Sequence, residues 1–89
     1  MREGRGIMIY ANGSKYEGDW KNDIREGKGI FYFSNGDTYE GDFKNNIIDG
    51  NGTIHAKRDD KRIEFSGTLR IRDFEDEKFD IAKFLENKY

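Results

Sequence analysis

The side chains that most often carry catalysis or bind metals are scarce in this chain. His55 is the only histidine, and the 89 residues include no cysteine. A Ser-His-Asp set would need Ser14, Ser34 or Ser66 to reach His55. A metal site built on His55 would lack a second nitrogen or a thiolate. We therefore interpret His55 as an ordinary strand residue and predict no enzyme activity, no metal site and no cofactor.

The chain has 18 carboxylates, and two facing acids could act as general acid and base or bind a hard cation. Several of them instead occupy equivalent positions of a repeated pattern, which is typical of a solvent-facing surface. These are Glu17, Asp19, Glu40 and Asp42. We expect them to pair across strands with Lys21 and Lys44.

A basic cluster is the candidate site for an anionic partner. It consists of Lys57, Arg58, Lys61 and Arg62 and is interrupted by Asp59-Asp60. It could bind a phosphoinositide headgroup or an acidic peptide, but each cation near an anionic membrane contributes only about 1 kcal/mol. The alternative is an ordinary charged hairpin tip. The net charge of −2 gives no global attraction to nucleic acid, so we predict no nucleic-acid partner.

Aromatic residues make up 15% of the chain, although hydrophobic residues as a whole make up only 34%. This composition fits a thin sheet packed through its rings. A single-layer sheet cannot cover both of its faces, and rings left on a concave surface would form a groove that anchors a helix or an extended peptide. The rings of this predicted partner-binding groove are Tyr10, Tyr16, Trp20, Phe31, Phe33, Tyr39 and Phe43.

The elements that would position these residues follow from an internal repeat. A shift of 23 positions places Glu3-Gly4-Arg5-Gly6-Ile7 on Glu26-Gly27-Lys28-Gly29-Ile30. The same shift places Tyr16-Glu17-Gly18-Asp19-Trp20 on Tyr39-Glu40-Gly41-Asp42-Phe43. A fixed period of this length is typical of repeat architectures, in which each unit covers the apolar face of its neighbour.

Each unit has the pattern of a β-hairpin. Asn12-Gly13 and Asn35-Gly36 predict type I′ turns, in which both central residues have positive φ. Alternation of apolar and polar residues after each turn predicts a half-buried antiparallel strand. A glycine between two rings weakens a strand unless something lies against it, so we expect rings of the adjacent hairpin to cover Gly18 and Gly41.

The third unit departs from the pattern. The charged stretch 57–62 replaces the Asn-Gly turn, and the strand motif resumes only at Phe65, which predicts a longer tip and a unit that caps the stack. Beyond Arg72, the apolar residues Ile81, Ala82 and Leu85 follow helical spacing. We predict an amphipathic helix that starts near Glu75 and covers an end or a face of the sheet.

Together these patterns predict a mainly β fold, in which a row of antiparallel β-hairpins forms a single elongated, twisted sheet followed by a short C-terminal α-helix. The hairpin array covers residues 1–72, in units of approximately 1–23, 24–46 and 47–72. The C-terminal amphipathic helix or capping segment covers residues 73–89.

The repeated elements Gly27-Lys28-Gly29, Asn35-Gly36-Asp37 and Tyr39-Glu40-Gly41-Asp42-Phe43-Lys44-Asn45 resemble the MORN repeat. The second unit matches nearly throughout, the first matches well, and the third is divergent. Residues 73–89 lie outside the resemblance. The resemblance implies a row of hairpins in one twisted sheet with a groove.

The resemblance also implies a protein-interaction or scaffolding module that binds a protein partner or forms a homodimer. Its alternative is a module that binds phosphoinositides or other anionic membrane headgroups. The lack of cysteine favours a reducing, cytoplasmic environment. The resemblance adds an expected association with the cytoskeleton or with membranes.

Overall fold

The computed structural model describes residues 3–76 and 78–86 as one antiparallel sheet and one short helix. The six strands neighbour each other in chain order, which confirms the predicted fold class. The strands are β1 (Gly4–Ile9), β2 (Lys15–Lys21), β3 (Ile24–Tyr32), β4 (Thr38–Lys44), β5 (Ile47–Arg58) and β6 (Lys61–Ile71), and the helix is α1 (Ile81–Glu86).

One face of the sheet, here named the inner face, carries a row of large apolar side chains. Each residue of the row lies opposite the next across the strand pairs, so the row crosses all six strands. The row consists of Met8, Tyr16, Phe31, Tyr39, Ile54 and Phe65. Its four central members are at most 1% exposed and form the centre of the hydrophobic core.

A row of glycines runs beside these side chains and also crosses every strand. It consists of Gly6, Gly18, Gly29, Gly41, Gly52 and Gly67. The rings of Tyr16 and Tyr39 lie against Gly29 and Gly52, each on the first strand of the following hairpin. The hydroxyls of Tyr16 and Tyr39 donate to the carbonyl oxygens of Asp19 (2.8 Å) and Asp42 (3.0 Å).

The expectation that Gly18 and Gly41 are the ring-covered glycines is wrong in its detail. A side chain at Gly18 would meet the backbone of Lys28 and Gly29 before any ring of the next hairpin. The strand register shifts between Gly18 and Trp20, as it does at the equivalent position after Gly41. Because Gly18 and Gly41 lack a side chain, they allow the backbones of two neighbouring strands to approach closely at a bulge.

The turns have a different backbone geometry from the predicted one. Asn12-Gly13 and Asn35-Gly36 lie in three-residue loops, in which only the glycine has positive φ (93° and 97°). Such a loop is a type I turn followed by a left-handed residue. Positive φ at both central residues occurs instead in the two-residue turns Asn22-Asp23, Asn45-Asn46 and Asp59-Asp60. Asparagine and aspartate tolerate this conformation better than other non-glycine residues.

The third hairpin is lengthened in its strands rather than in its turn. His55 of β5 still pairs with Thr38 of β4, and residues 56–58 extend beyond that pair. They continue in register with β6 up to the pair Arg58 and Lys61, which flanks the two-residue turn. The basic cluster therefore lies on a strand extension and not on a wide loop.

The helix begins later than predicted. Turns occupy the described residues between Asp73 and Lys78, and α1 starts at Ile81 rather than near Glu75. The cause is Asp80, whose carboxylate accepts the backbone N–H of Ala82 (2.9 Å) and so caps the first helical turn. Residues 87–89 of the predicted helical segment lie outside the described residues.

The opposite face of the sheet, here named the open face, is polar over most of its width. Asp19 and Asp42 lie there, but they pair with Arg5 and Lys28 rather than with Lys21 and Lys44. Arg5 and Lys28 are equivalent residues of successive units, so the pairing repeats along the array. On β1 the open face also exposes Ile7 (55%) and Ile9 (71%).

Replacing Gly29 with alanine tests the contact between ring and glycine. A Cβ atom there would lie 2.5–2.6 Å from atoms of the Tyr16 ring. We expect Gly29→Ala to lower the free energy of unfolding by about 3 kcal/mol, because the buried ring has no space to move into. Urea unfolding followed by tryptophan fluorescence measures the change.

Gly36→Ala is the matched control. Nothing lies within 4 Å of the added atom, and its φ is 97°. It should therefore cost only the strain of a left-handed alanine, about 1 kcal/mol. Equal losses for Gly29→Ala and Gly36→Ala would contradict the packing role of Gly29.

Candidate functional site

The seven rings of the predicted groove all lie on or beside the inner face, but most of them are covered. Five of the seven are at most 6% exposed, namely Tyr16, Trp20, Phe31, Tyr39 and Phe43. The other two, Tyr10 and Phe33, are partly buried against the same core. Most of these ring pairs are edge to face, as in the pair Tyr16 and Phe43 (centroids 4.8 Å apart).

The inner face is covered by a later segment of the same chain. We name residues 73–86, except residue 77, the C-terminal segment. Its Phe74 is 2% exposed and packs against the rings of Phe31 (4.9 Å) and Phe43 (6.1 Å). Phe79 stacks on Phe33 at 6.0 Å. The C-terminal segment therefore occupies the surface predicted to receive a partner.

Arg25 is a buried cation beneath this segment. Its guanidinium donates hydrogen bonds to the Tyr10 hydroxyl (2.9 Å), to the Asn46 carbonyl (2.7 Å) and to the Glu75 carboxylate. The guanidinium carbon lies 5.1 Å from the centre of the Phe74 ring, which is within range of a cation–π contact. The side chain of Arg25 is 5% exposed, whereas that of Glu75 is 48% exposed.

Arg58 forms a second ionic contact between the sheet and the segment. Its guanidinium donates two hydrogen bonds to Asp37 (2.9 and 2.8 Å) and one to Asp80 (2.9 Å). Asp37 is 3% exposed, so its charge is almost fully removed from water. The hydrogen bonds to Asp37 raise the pKa of Arg58, against the opposing effect of burial.

Asp80 keeps its charge in this arrangement. Burial raises the pKa of Asp80, but the hydrogen bonds from Arg58 and from the backbone N–H of Lys83 and Ala82 outweigh that effect. The pKa of Asp80 is consequently below its ordinary value. The same carboxylate thus holds Arg58 and caps α1.

The basic cluster at the hairpin tip is divided by these contacts. Lys57 and Arg62 pair across the strands, and Arg58 pairs with Lys61 at the next position, so the two pairs point to opposite faces. Arg58 is held by two carboxylates. Asp59 and Asp60 stand beside the remaining cations, which weakens the tip as a site for an anionic headgroup.

The groups considered for catalysis do not converge. His55 lies on the open face, half exposed, with Nδ1 3.6 Å from a Glu64 carboxylate oxygen. Within residues 3–76 and 78–86, no three metal-ligating side chains come together. The same part of the chain has no helix that is long and apolar enough to cross a membrane.

Two charged residues of the inner face were not predicted from the sequence as part of a site. Arg25 occupies the repeat position of Arg2 and Ile48, and Asp37 occupies that of Ser14. Arg25 and Asp37 are 4% and 3% exposed. The difference between Arg25 and Ile48 at one repeat position was the available signal.

The comparison with known families agrees with this architecture. The MORN repeat model matches three consecutive segments, residues 1–15, 16–38 and 39–57. The chain belongs to the MORN repeat family. No curated protein matches it at a significant level. The second and third MORN matches begin at Tyr16 and Tyr39, the residues whose rings cover the next hairpin.

MORN repeats are consistent with a protein- or membrane-interaction module. The family matches end at Lys57, so β6 and the C-terminal segment lie beyond them. Of the two arginines that contact the C-terminal segment, Arg25 lies within the second match and Arg58 lies just beyond the third.

The buried tyrosines make the free energy of unfolding depend on pH in the alkaline range. Burial, with a smaller effect of nearby Asp42, raises the pKa of Tyr39 to about 12. Between pH 10 and 12 the unfolded chain ionises this phenol while the folded chain does not, so the free energy of unfolding should fall, by about 2 kcal/mol. Tyr39→Phe should make this decline shallower in urea titrations. Identical slopes in the two proteins would contradict the assignment.

Replacing Asp37 with asparagine tests the buried ion pair. Asp37→Asn removes the charge opposite Arg58, and we expect a loss of about 2 kcal/mol in the free energy of unfolding. Asp60→Asn removes a carboxylate that is exposed in a turn at φ 65°, where asparagine fits equally well. Denaturant unfolding should leave Asp60→Asn close to the parent protein, and an equally small effect at Asp37 would refute the assigned role.

Proposed function

We propose that this chain is a protein-interaction module without catalytic activity of its own, and that it binds a segment of a partner protein on the inner face. The observation that carries the proposal is that the inner face already holds a chain segment. Among residues 3–76 and 78–86, the C-terminal segment adds no strand to the six-stranded sheet and contacts it through side chains.

The chemistry of the inner face supports this use. Rings give a large contact area with few rotatable bonds, which is typical of surfaces that anchor a peptide. Arg25 and Arg58 add charged groups that fix the position of a bound carboxylate. An apolar surface with a few fixed polar groups selects a segment by sequence rather than binding any apolar surface.

The open face provides the alternative surface. Ile7 and Ile9 are its exposed apolar residues at the edge strand β1. They are only two side chains beside charged neighbours, and the facing residues Glu17 and Lys15 are ionic. The inner face therefore supports the proposal better than the open face.

Site-specific photocrosslinking separates the two faces. A photoreactive phenylalanine analogue at Phe33 probes the inner face, and the same analogue at Ile9 probes the open face. In extract of the source cells, we expect a crosslinked partner from position 33 and not from position 9. Mass spectrometry distinguishes a foreign protein from a second copy of this chain. Partner crosslinks that form only from position 9 would refute the proposal.

A further inference from the structure

The C-terminal segment complements the inner face in charge as well as in shape. Residues 73–86 contain six acidic and two basic residues. The sheet presents a guanidinium to two of the carboxylates, Glu75 and Asp80, which are five positions apart. Each of these carboxylates adjoins a buried apolar side chain, Phe74 in the first case and Ile81 in the second.

The two partners of the ion pair between Arg25 and Glu75 differ in their exposure to solvent. The guanidinium is buried and also hydrogen-bonded to Tyr10 and Asn46, which belong to the array. Its Nε has no acceptor among the described residues. Glu75 supplies the opposite charge from a half-exposed position. A guanidinium removed from water needs a nearby anion, but that anion can be exchanged from the solvent side.

Arg58 likewise contacts one group of the array, Asp37, and one group of the C-terminal segment, Asp80. Asp37 holds the guanidinium through two parallel hydrogen bonds from within the array. This pair does not depend on the C-terminal segment, so Arg58 stays oriented when Asp80 leaves. The hydrogen bond from Nη2 to Asp80 is then open to another carboxylate.

We infer that the C-terminal segment occupies the binding site of a partner segment of the same chemistry. The partner segment displaces the C-terminal segment from the inner face and binds there to Arg25 and Arg58. The partner segment has an aromatic residue followed directly by an acidic one. After four further residues it has an acidic residue followed by an aliphatic one. The C-terminal segment competes with that partner and so lowers the affinity of the closed chain.

This inference rests on the proposed function, and it adds the chemistry of the partner and the regulation of the same surface. A bound segment at high effective concentration can exclude an external ligand of equal intrinsic affinity. Weakening the internal contact should therefore strengthen external binding.

The test uses the full chain with Glu75→Lys, which places a cation against Arg25. Asp73→Lys is the matched control, because Asp73 is exposed and makes the same change in net charge two residues away. Hydrogen exchange of Ile81–Glu86 reports release of the segment. A fluorescent peptide with the sequence of residues 73–86 then serves as the ligand in anisotropy titrations.

We expect Glu75→Lys to accelerate exchange in Ile81–Glu86 and to bind the peptide at least about tenfold more tightly than the parent chain or Asp73→Lys. A peptide with glutamine at the position of Glu75 and asparagine at that of Asp80 should bind at least about tenfold more weakly. These peptide variants keep the protein constant, so a folding defect cannot produce the difference.

Three results would overturn the inference. The first is unchanged exchange in Glu75→Lys, since the ion pair would then not hold the segment. The second is no saturable binding, or equal binding of a scrambled peptide. The third is a dimer of Glu75→Lys that excludes the peptide, which would make a second copy the occupant. Partner crosslinks at position 33 would preserve the proposed function in each case, whereas their absence would refute the function itself.

Discussion

Contact between tyrosine rings and bare glycine backbone is the interaction on which this sheet depends. Tyr16 and Tyr39 each lie across a glycine of the next hairpin and donate a hydrogen bond to a carbonyl of their own strand. Neither hairpin could bury such a ring alone. The ring therefore fixes both the order of the hairpins and their register, since a shift of one residue would bring a side chain under it.

The same packing explains why charges can lie on an apolar face. A single layer of strands leaves its rings accessible from one side, and the C-terminal segment covers them with Phe74 and the helix. Arg25 and Arg58 meet that cover with hydrogen bonds as well as charge. Buried ion pairs add little net stability, but they discriminate strongly between correct and incorrect neighbours. Their location here indicates selection of the covering segment rather than reinforcement of the core.

Much of this fold was accessible from the sequence because the repeat determines it. A period of 23 residues with alternating polarity predicted the hairpins, their order and the inner rings. The turn types were predicted wrongly, because Asn-Gly also suits a type I turn with a left-handed glycine, and neighbouring strands decide between the two. The start of α1 was missed since acidic residues at 75–77 resemble a helix N-terminus, whereas the actual cap is Asp80.

The candidate site was less accessible for a physical reason. The rings were predicted, but the pairing of Arg25 with Glu75 spans 50 residues and that of Arg58 with Asp37 spans 21. No local pattern encodes such distances. Arg58 was a candidate for binding an external anion, with an ordinary charged tip as the alternative, and two carboxylates of its own chain hold it.

The extra length of the third hairpin has a consequence for how such arrays diversify. Residues 56–58 extend past the last pair with β4, and this extension brings Arg58 within reach of both Asp37 and Asp80 of the C-terminal segment. An insertion of this kind leaves the registers of the earlier hairpins intact, because each described strand forms its ladder of hydrogen bonds with its neighbours in chain order. A globular core would have to repack around it. A repeat protein can thus acquire a contact that holds another segment of its chain on the sheet, by lengthening one unit and leaving the others unchanged.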